Sequence, residues 1–327
     1  VTAQRVLIIG GNGIISSSVS KLAVERGYDV TLLNRGRSTT RPPIEGAETI
    51  IGDADDPASI AAAVGSREFD VVATFRSFLP SQVEADVALF GGRTGQYLYI
   101  SSASVYQKPI AQLPIVESTP LRNPFWEYSR NKIASEDVLT RAYRDTGFPV
   151  TIVRPSHTYD ETLIPLEGGW TTLQRILDGK PVIVHGDGTS WWTLTHTRDF
   201  ARAFVGLFGN AHAIGSPVQI TGDESLTWDE ITRELGRALG VEPRIVHVAS
   251  DAIAREIPEM GPGLIGDKAH SVLFDNTRIK TLVPGWVATT PFAQGAREIV
   301  AWHRADASRR TVDPTLDAAF DRLAARA

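Results

Sequence analysis

The stretch Arg5-Val-Leu-Ile-Ile-Gly-Gly-Asn-Gly-Ile-Ile-Ser16 constrains the chain more than any other. Arg5 to Ile9 is apolar without alternation, which predicts a parallel strand buried on both faces. Gly10, Gly11 and Gly13 follow at once. A helix is expected next, running to about Arg26 with Val19, Leu22 and Ala23 on its apolar side. Strand, glycine turn and helix in this order form a phosphate cradle. Glycine lets the backbone approach a pyrophosphate, and the helix N-terminus stabilises its charge. Gly10, Gly13, Ile14 and Ile15 are therefore candidate cofactor contacts. Ser16 stands where a third small glycine is usual; it should fit, with an effect on helix–strand packing.

The rhythm then repeats. A second strand, Asp29 to Leu33, ends in Asn34-Arg35-Gly36-Arg37. An acidic residue at this place would hold the adenine ribose 2′-hydroxyl. Asn34 and Arg35 repel no 2′-phosphate, and a guanidinium can pair with one. NADP is favoured over NAD on this ground; the alternative is that Arg35, Arg37 and Arg41 are solvated loop charges. The third strand, Ala47 to Ile51, leads into Gly52-Asp53-Ala54. Asp53 could accept from an adenine amino group, or serve as a helix cap or turn, since Asp55, Asp56 and Pro57 are helix-start signals. The fourth strand, Asp70 to Thr74, should bring Ala73, Thr74 and Arg76 beside the cofactor, at the carboxyl edge of the sheet. Pro80 starts a helix with Val83, Val87 and Phe90 at helical spacing. The fifth strand, Tyr97 to Ser101, runs into Ser102-Ala-Ser104-Val-Tyr106, where serine hydroxyls can point into the crevice. A helix from about Trp126 to Thr146 should bury Ile133, Ala134, Val138 and Ala142. Pro149 to Arg154 is the sixth strand, closed by Pro155.

That helix carries Tyr128-Ser-Arg-Asn-Lys132. Residues i and i+4 share one helix face. A Lys ammonium near a phenol favours the phenolate and lowers its pKa from about 10. Tyr128 is thereby a candidate acid/base for a sugar or alcohol hydroxyl.

Beyond Pro155 strands and helices no longer alternate regularly. Helices are expected over Trp170 to Leu177, Thr197 to Phe208, Trp228 to Leu239, near Asp251, Pro291 to His303 and Pro314 to Ala325. Short strands are expected at Pro181 to Val184, Val218 to Ile220 and Arg244 to Val248. The stripe Phe200, Phe204, Phe208 reads as core packing. The fold class expected is α/β. A Rossmann doubly wound parallel sheet over residues 1–155, with a return contribution from about 195–221, would carry a smaller mixed α/β substrate lobe over 156–327.

Composition narrows the function classes. The net charge of −5 and the absence of a dense basic run argue against a broad nucleic-acid surface. With 0 Cys, disulfides, thiolate metal sites and Cys nucleophiles are excluded; no metal site is expected. No apolar run reaches the length of a bilayer span, and Val6-Leu-Ile-Ile9 is too short for the apolar region of a signal peptide. A cytoplasmic enzyme with no membrane partner is expected.

Taken together, these motifs resemble the short-chain dehydrogenase/reductase superfamily, in its extended or atypical NAD-dependent epimerase/dehydratase branch. The resemblance covers most of the chain. It rests on Gly10-x-x-Gly13, Gly52-Asp53, Ser101-Ser102-Ala-Ser104-Val-Tyr106, Tyr128-x-x-x-Lys132, Val153-Arg154-Pro155 and His196-x-x-Asp199-x-Ala201. It implies Tyr128 as acid/base, and Lys132 as the group that holds the nicotinamide ribose and lowers the Tyr128 pKa. Ser102 falls on the catalytic Ser or Thr position, with Ser104 as runner-up. Pro155 and Ser156 would sit against the nicotinamide, and Asn34, Arg35, Asp53, Ala54, Ala73, Thr74 and Ser101 along the rest of the cofactor. Hydride would pass between a substrate carbon and the nicotinamide ring. A homodimer through the Pro80 and Tyr128 helices is also implied.

Two departures shape the expectation. Dehydratases of this branch place Asp-Glu directly after the catalytic Thr, where this chain has Ala103-Ser104. Loss of water needs an acid and a base there, so dehydratase activity is disfavoured. Nucleotide-sugar members carry a diphosphate-clamping Arg four residues before the His of His-x-x-Asp; here it is Trp192, preceded by Trp191. Arg198, or Arg76 by the crevice, would have to compensate. Otherwise the tryptophans stack on a sugar or base, or simply anchor the small lobe. His157 falls where the family often has Asn, as a substrate contact or a loop hydrogen bond. The expected function is an NAD(P)-dependent epimerase or oxidoreductase acting on a sugar-like molecule. The alternatives are an atypical RNA-binding member, like those linked to chloroplast RNA, or a NADP-sensing regulator without turnover.

Overall fold

The computed structural model describes residues 3–36 and 41–327. Arg37 lies outside the described residues. The strands are β1 (Arg5–Ile9), β2 (Asp29–Asn34), β3 (Glu48–Ile51), β4 (Phe69–Thr74), β5 (Thr94–Ile100) and β6 (Val150–Pro155), then the short β7 (His157–Tyr159), β8 (Pro181–His185), β9 (Trp191–Trp192) and β10 (Leu194–His196), and finally β11 (Pro217–Ile220), β12 (Leu226–Thr227) and β13 (Arg244–Val248). Seven of them form one sheet in the order β11-β6-β5-β4-β1-β2-β3. Every pairing in it is parallel. This is the Rossmann-like α/β fold expected from the sequence.

β1 is an interior strand, with Val6 beside both Val30 and Val71. Its side chains alternate between two cores. Val6 and Ile8 pack with Val19 and Ala23 of α1 (Ile14–Glu25) and with Phe200 and Phe204 of the helix Thr197–Gly206. Leu7 and Ile9 pack with Ile60 of α2 (Pro57–Val64), Val83 of α3 (Pro80–Phe90) and Leu139 of α4 (Glu127–Thr146). Burial on both sides explains why β1 shows no polar alternation. The expected phenylalanine stripe is core: Phe200, Phe204 and Phe208 are all buried.

α4 departs from expectation in the face it buries. Ser129, Lys132, Ser135, Glu136 and Leu139 face inward, while Ile133, Ala134, Val138 and Ala142 are only half-buried. The helical period is right, but the buried stripe is largely polar. It is tolerated because its charges have partners. Glu136 takes Nε of Arg154 at 3.0 Å and Nη2 at 2.6 Å, and accepts from Ser101 as well.

Apart from the helix Thr197–Gly206 and β11, which return to the main sheet, the chain after β6 builds a second body from small sheets and helices. β7 pairs with β10, β9 with β12, and β8 with β13. Its core gathers Trp170 and Leu173 of the helix Trp170–Leu177, Trp192 of β9, and Trp228 and Ile231 of the helix Trp228–Leu239. The latter helix starts on a reciprocal cap between Thr227 and Glu230. A π-helical turn, Leu264–Lys268, follows. The carboxyl ends of β4, β5 and β6 face this second body, and the cleft between them holds the site.

Candidate active site

The turn after β1 fits a dinucleotide. Gly10 has φ +82°, a left-handed conformation open to glycine, and a side chain at Gly11 would meet Leu32 at 2.8 Å. Ser16, in the place of the usual third glycine, is buried and stitches the turn. Its hydroxyl donates to the Gly10 carbonyl at 2.6 Å and accepts from the Gly13 N–H at 2.7 Å. Ile14 and Ile15, both half-buried, open α1. At the end of β2 the buried Asn34 amide nitrogen has no hydrogen-bond partner among the described residues. A buried donor of this kind is costly unless a ligand or water meets it. A glycine-rich turn, a helix start and an orphaned amide in this order suit a bound nicotinamide dinucleotide.

Around the adenosine end several expectations change. Asp53 accepts from the Asp55 N–H at 3.0 Å and its own N–H donates to Ser59 at 2.9 Å, beside the buried Ala54. Asp56, not Asp53, caps α2. Arg35 reaches Asp55 at 3.9 Å. Arg76 was expected at the substrate; instead its side chain lies over Gly10 and its guanidinium holds both oxygens of Asp55, at 3.1 and 2.9 Å. The reason is proximity: Arg76 leaves β4 directly beside the β1 turn, with the Asp55 carboxylate within reach. Arg41 is not a solvated loop charge. It bonds Asp160 at 2.5 Å and Thr162 at 2.7 Å.

The central hydroxyls form a chain. Ser102 and Ser104 lie 2.9 Å apart, and Ser129 donates to Ser104 at 2.7 Å. Tyr128 opens onto the same cavity. Burial pushes its phenol up; the neighbouring Ser102 hydroxyl opposes this, and the Asp267 carboxylate adds to it. The lowering expected from Lys132 is not found: the one group that lowers the phenol is Ser102. Lys132 is itself buried, 4.8 Å from the Tyr99 and Phe78 rings and 5.8 Å from that of Tyr128. It donates to the Ser77 carbonyl at 2.9 Å and to that of Ile100 at 2.8 Å. Burial lowers its pKa to about 7, with Glu136 pulling the other way. An ammonium has three donors, so one is left for a ligand.

Other expected cofactor contacts are less free. Ser101 is buried and committed to Glu136. Thr74 is buried with its hydroxyl 2.9 Å from that of Ser77, next to the fully buried Ala73. Ser156 lies 2.7 Å from Thr195 but still lines the cavity together with Pro155.

The cavity measures about 300 Å³ and brings together Ser102, Ser104, Tyr128, Ser156, His157 and Trp192. Trp192 is buried, packs on Trp228 with ring centres 5.2 Å apart, and donates its indole N–H to Nδ1 of His157 at 3.1 Å. It is an anchor and a wall at once, while Trp191 is exposed. The bond to Nδ1 leaves Nε2 of a neutral His157 as the donor. Burial first and the Lys268 ammonium second lower the His157 pKa to about 3, so the ring is neutral. Arg198 does not reach the cavity. Glu298 holds its guanidinium at 2.8 and 2.9 Å, on the first turn of the helix Thr197–Gly206. Sequence reading missed Trp126, Asp267, Lys268, Val272 and Phe274, which complete the wall. No motif marks them. Glu136 had a signal, since Tyr128, Lys132 and Glu136 are spaced four residues apart on one helix. A second cavity of about 550 Å³ shares Trp126 and Lys268 with the first.

The model of the NAD dependent epimerase/dehydratase family matches residues 6–220. Among curated proteins, the chain is 28% identical over 257 residues to the chloroplast stem-loop binding protein of 41 kDa b of Arabidopsis thaliana, covering 75% of this chain and 66% of that one. It is 24% identical over 260 residues to the 2′-dehydrokanamycin reductase of Streptomyces kanamyceticus, covering 78% and 72%. In structure it superposes on an epimerase of Methanothermobacter thermautotrophicus with a TM-score of 0.77 and 15% identity, over 94% of both chains.

Proposed function

Because the chain belongs to the NAD dependent epimerase/dehydratase family, we propose that it is an NAD(P)-dependent epimerase or oxidoreductase of a sugar or sugar-like substrate. The observation that carries this reading is the convergence of Tyr128 and Ser102 on one cavity, with Lys132 buried beneath the Tyr128 ring. A bound nicotinamide would supply the hydride acceptor or donor. Gly10, Gly13, Ile14, Asn34 and Arg35 would hold it, together with Ala73, Thr74 and Pro155. The third Lys132 donor would go to its ribose.

Tyr128 moves the proton of the reacting oxygen. Its phenol, pushed up by burial, is protonated at neutral pH and so is ready to act as an acid toward a carbonyl. In the opposite direction the Lys132 charge and the Ser102 hydroxyl stabilise the phenolate. Ser102 orients the same oxygen, and Ser104 and Ser129 fix the Ser102 hydroxyl. His157 donates Nε2–H to a further substrate oxygen, against the wall made by Trp192. Ala103 and Ser104 supply no carboxylate pair, so dehydration is disfavoured. NADP is the favoured cofactor because Arg35 and Arg76 flank the end of β2, where Asn34 stands in place of a carboxylate. The half-buried Ile133 and Val138 on α4 suit a homodimer contact.

The test is Tyr128→Phe. Turnover in a screen of sugars read at the nicotinamide absorbance should fall at least about 100-fold, with cofactor affinity unchanged; an unchanged rate defeats the assignment. A second reading, RNA binding, is favoured by the name of the Arabidopsis relative and opposed by the net charge of −5. Retention of a stem-loop RNA on a filter at moderate salt would support it.

A further inference from the structure

Lys108 is a buried cation that the proposed chemistry does not use. It is fully buried, its ammonium nitrogen makes no hydrogen bond among the described residues, and it forms an ion pair with Asp267, at 3.2 Å. Asp267 belongs to the π-helical turn Leu264–Lys268 and lines the Tyr128 cavity. That turn is pinned to the catalytic loop, because the Asn123 amide donates both to the Ser104 carbonyl, at 2.9 Å, and to that of Gly266, at 2.7 Å. Asp267 is close enough to Tyr128 for its charge to push the phenol up.

A buried ammonium is costly unless it is paired. A carboxylate beside the acid/base tyrosine is also unfavourable for any phenolate. The arrangement becomes intelligible if the carboxylate is needed at the substrate and Lys108, 3.2 Å away, keeps it aimed. We propose that Asp267 is a substrate-binding carboxylate, positioned by Lys108, which accepts hydrogen bonds from hydroxyl or ammonium groups of a sugar ring held at Tyr128.

The chemical class of substrate follows. Asp267 is an acceptor and adds negative charge. The other cation on the wall, Lys268, is paired to Glu167 at 3.0 Å. Trp192 and neutral His157 offer no positive charge for a phosphate. The pocket therefore takes an unphosphorylated sugar or aminosugar rather than a nucleoside diphosphate sugar. This rests on the proposed function, and goes beyond it in naming the recognition group and the substrate class.

The experiment measures binding without turnover, in the Tyr128→Phe background with NADH bound. Nicotinamide fluorescence reports the cofactor in the same samples, so loss of cofactor binding would count against the proposed function and not against Asp267. The probes are kanamycin, methyl glucoside and UDP-glucose, titrated by calorimetry. Kanamycin or methyl glucoside should bind more tightly than UDP-glucose. Asp267→Asn, which keeps the shape, should weaken the better of the two at least about 10-fold, with a larger loss for kanamycin if an ammonium is the donor. Lys108→Met should weaken it to a similar degree. Should Lys108→Met fail to fold, Asp267→Asn alone decides. Equal affinity in Asp267→Asn, tighter binding of UDP-glucose, or no binding of either sugar to the NADH-loaded protein would each overturn the proposal.

Discussion

Lys132 offers a quantitative check on the site that needs no substrate. Its ammonium is buried, and its pKa falls from 10.5 to about 7, chiefly by burial. In the unfolded chain the group returns to its ordinary value. Between pH 7 and about 10 the unfolded chain therefore binds more protons at this position than the folded one, and stability rises with pH across that window. Below pH 7 both states carry the proton and the full cost of the buried charge is present. Above pH 10.5 neither does, and the cost vanishes. From pH 7 to pH 9.5 the gain is about 3 kcal/mol.

Lys132→Met removes the titration. It also strips donors from the Ser77 and Ile100 carbonyls, an offset of about 1–3 kcal/mol per carbonyl that does not depend on pH. The informative quantity is thus the difference between wild type and variant as a function of pH, in which all other titrations cancel. Unfolding free energies from urea titration of the cofactor-free proteins should draw apart by about 3 kcal/mol in favour of wild type between pH 7 and 9.5. In melting temperature this is about 4 °C for a chain of this length. Parallel curves would refute the reasoning. They would mean that the two carbonyls and Glu136 stabilise the ammonium enough to cancel its burial, and that Lys132 is a fixed charge throughout the neutral range.

Other perturbations test other parts of the site. Ser16→Ala removes the bonds to Gly10 and Gly13 and should weaken NADH binding by about 1 kcal/mol, while Ser16→Gly, the usual residue, should cost less; fluorescence titration distinguishes them. Arg35→Ala should weaken NADPH much more than NADH, and Asp55→Asn, which frees both Arg35 and Arg76, should tighten NADPH; equal effects on both cofactors would show that neither arginine reads a 2′-phosphate. Arg154→Met leaves Glu136 buried without its partner and should cost about 3–5 kcal/mol in urea unfolding, with a smaller loss in the double variant Arg154→Met/Glu136→Gln.

The turn proposed to hold the cofactor was legible because its signals are local. Gly10, Gly13 and Asn34 sit at fixed offsets from β1 and β2, and the backbone of one strand–turn–helix unit dictates what can stand there. The pair Tyr128 and Lys132 was legible for the same reason, being one helical turn apart. The polar face of α4 was not. Periodicity points to a buried stripe, and choosing its apolar residues presumes that burial is apolar; Glu136 and Lys132 are buried because Arg154 and two carbonyls, remote in sequence, meet them. The arginines failed similarly. Arg76 and Arg198 were assigned by nearness in sequence to the crevice, yet Asp55 and Glu298 capture them first.

The substrate half obeys a different logic, and Trp192 and Asp267 show it together. Read alone, the loss of the diphosphate clamp at Trp192 says only what the pocket lacks, and leaves Arg76 or Arg198 free to compensate. The structure removes both. It then brings Asp267 in on a turn that no motif marks, backed by Lys108 from the loop after β5. A carboxylate there and an arginine at position 192 would serve opposite ligands, one accepting from sugar hydroxyls and the other pairing with phosphate. On the proposed reading Trp192 and Asp267 favour the same class of ligand, and a variant that alters only one of them should not confer the other class. Trp192→Arg, which also unpacks Trp228 and frees His157 Nδ1, should not confer UDP-glucose binding by calorimetry while Asp267 remains. The double variant Trp192→Arg/Asp267→Asn is the one in which any gain should appear. A gain in the single variant equal to that in the double would show that the two positions act independently.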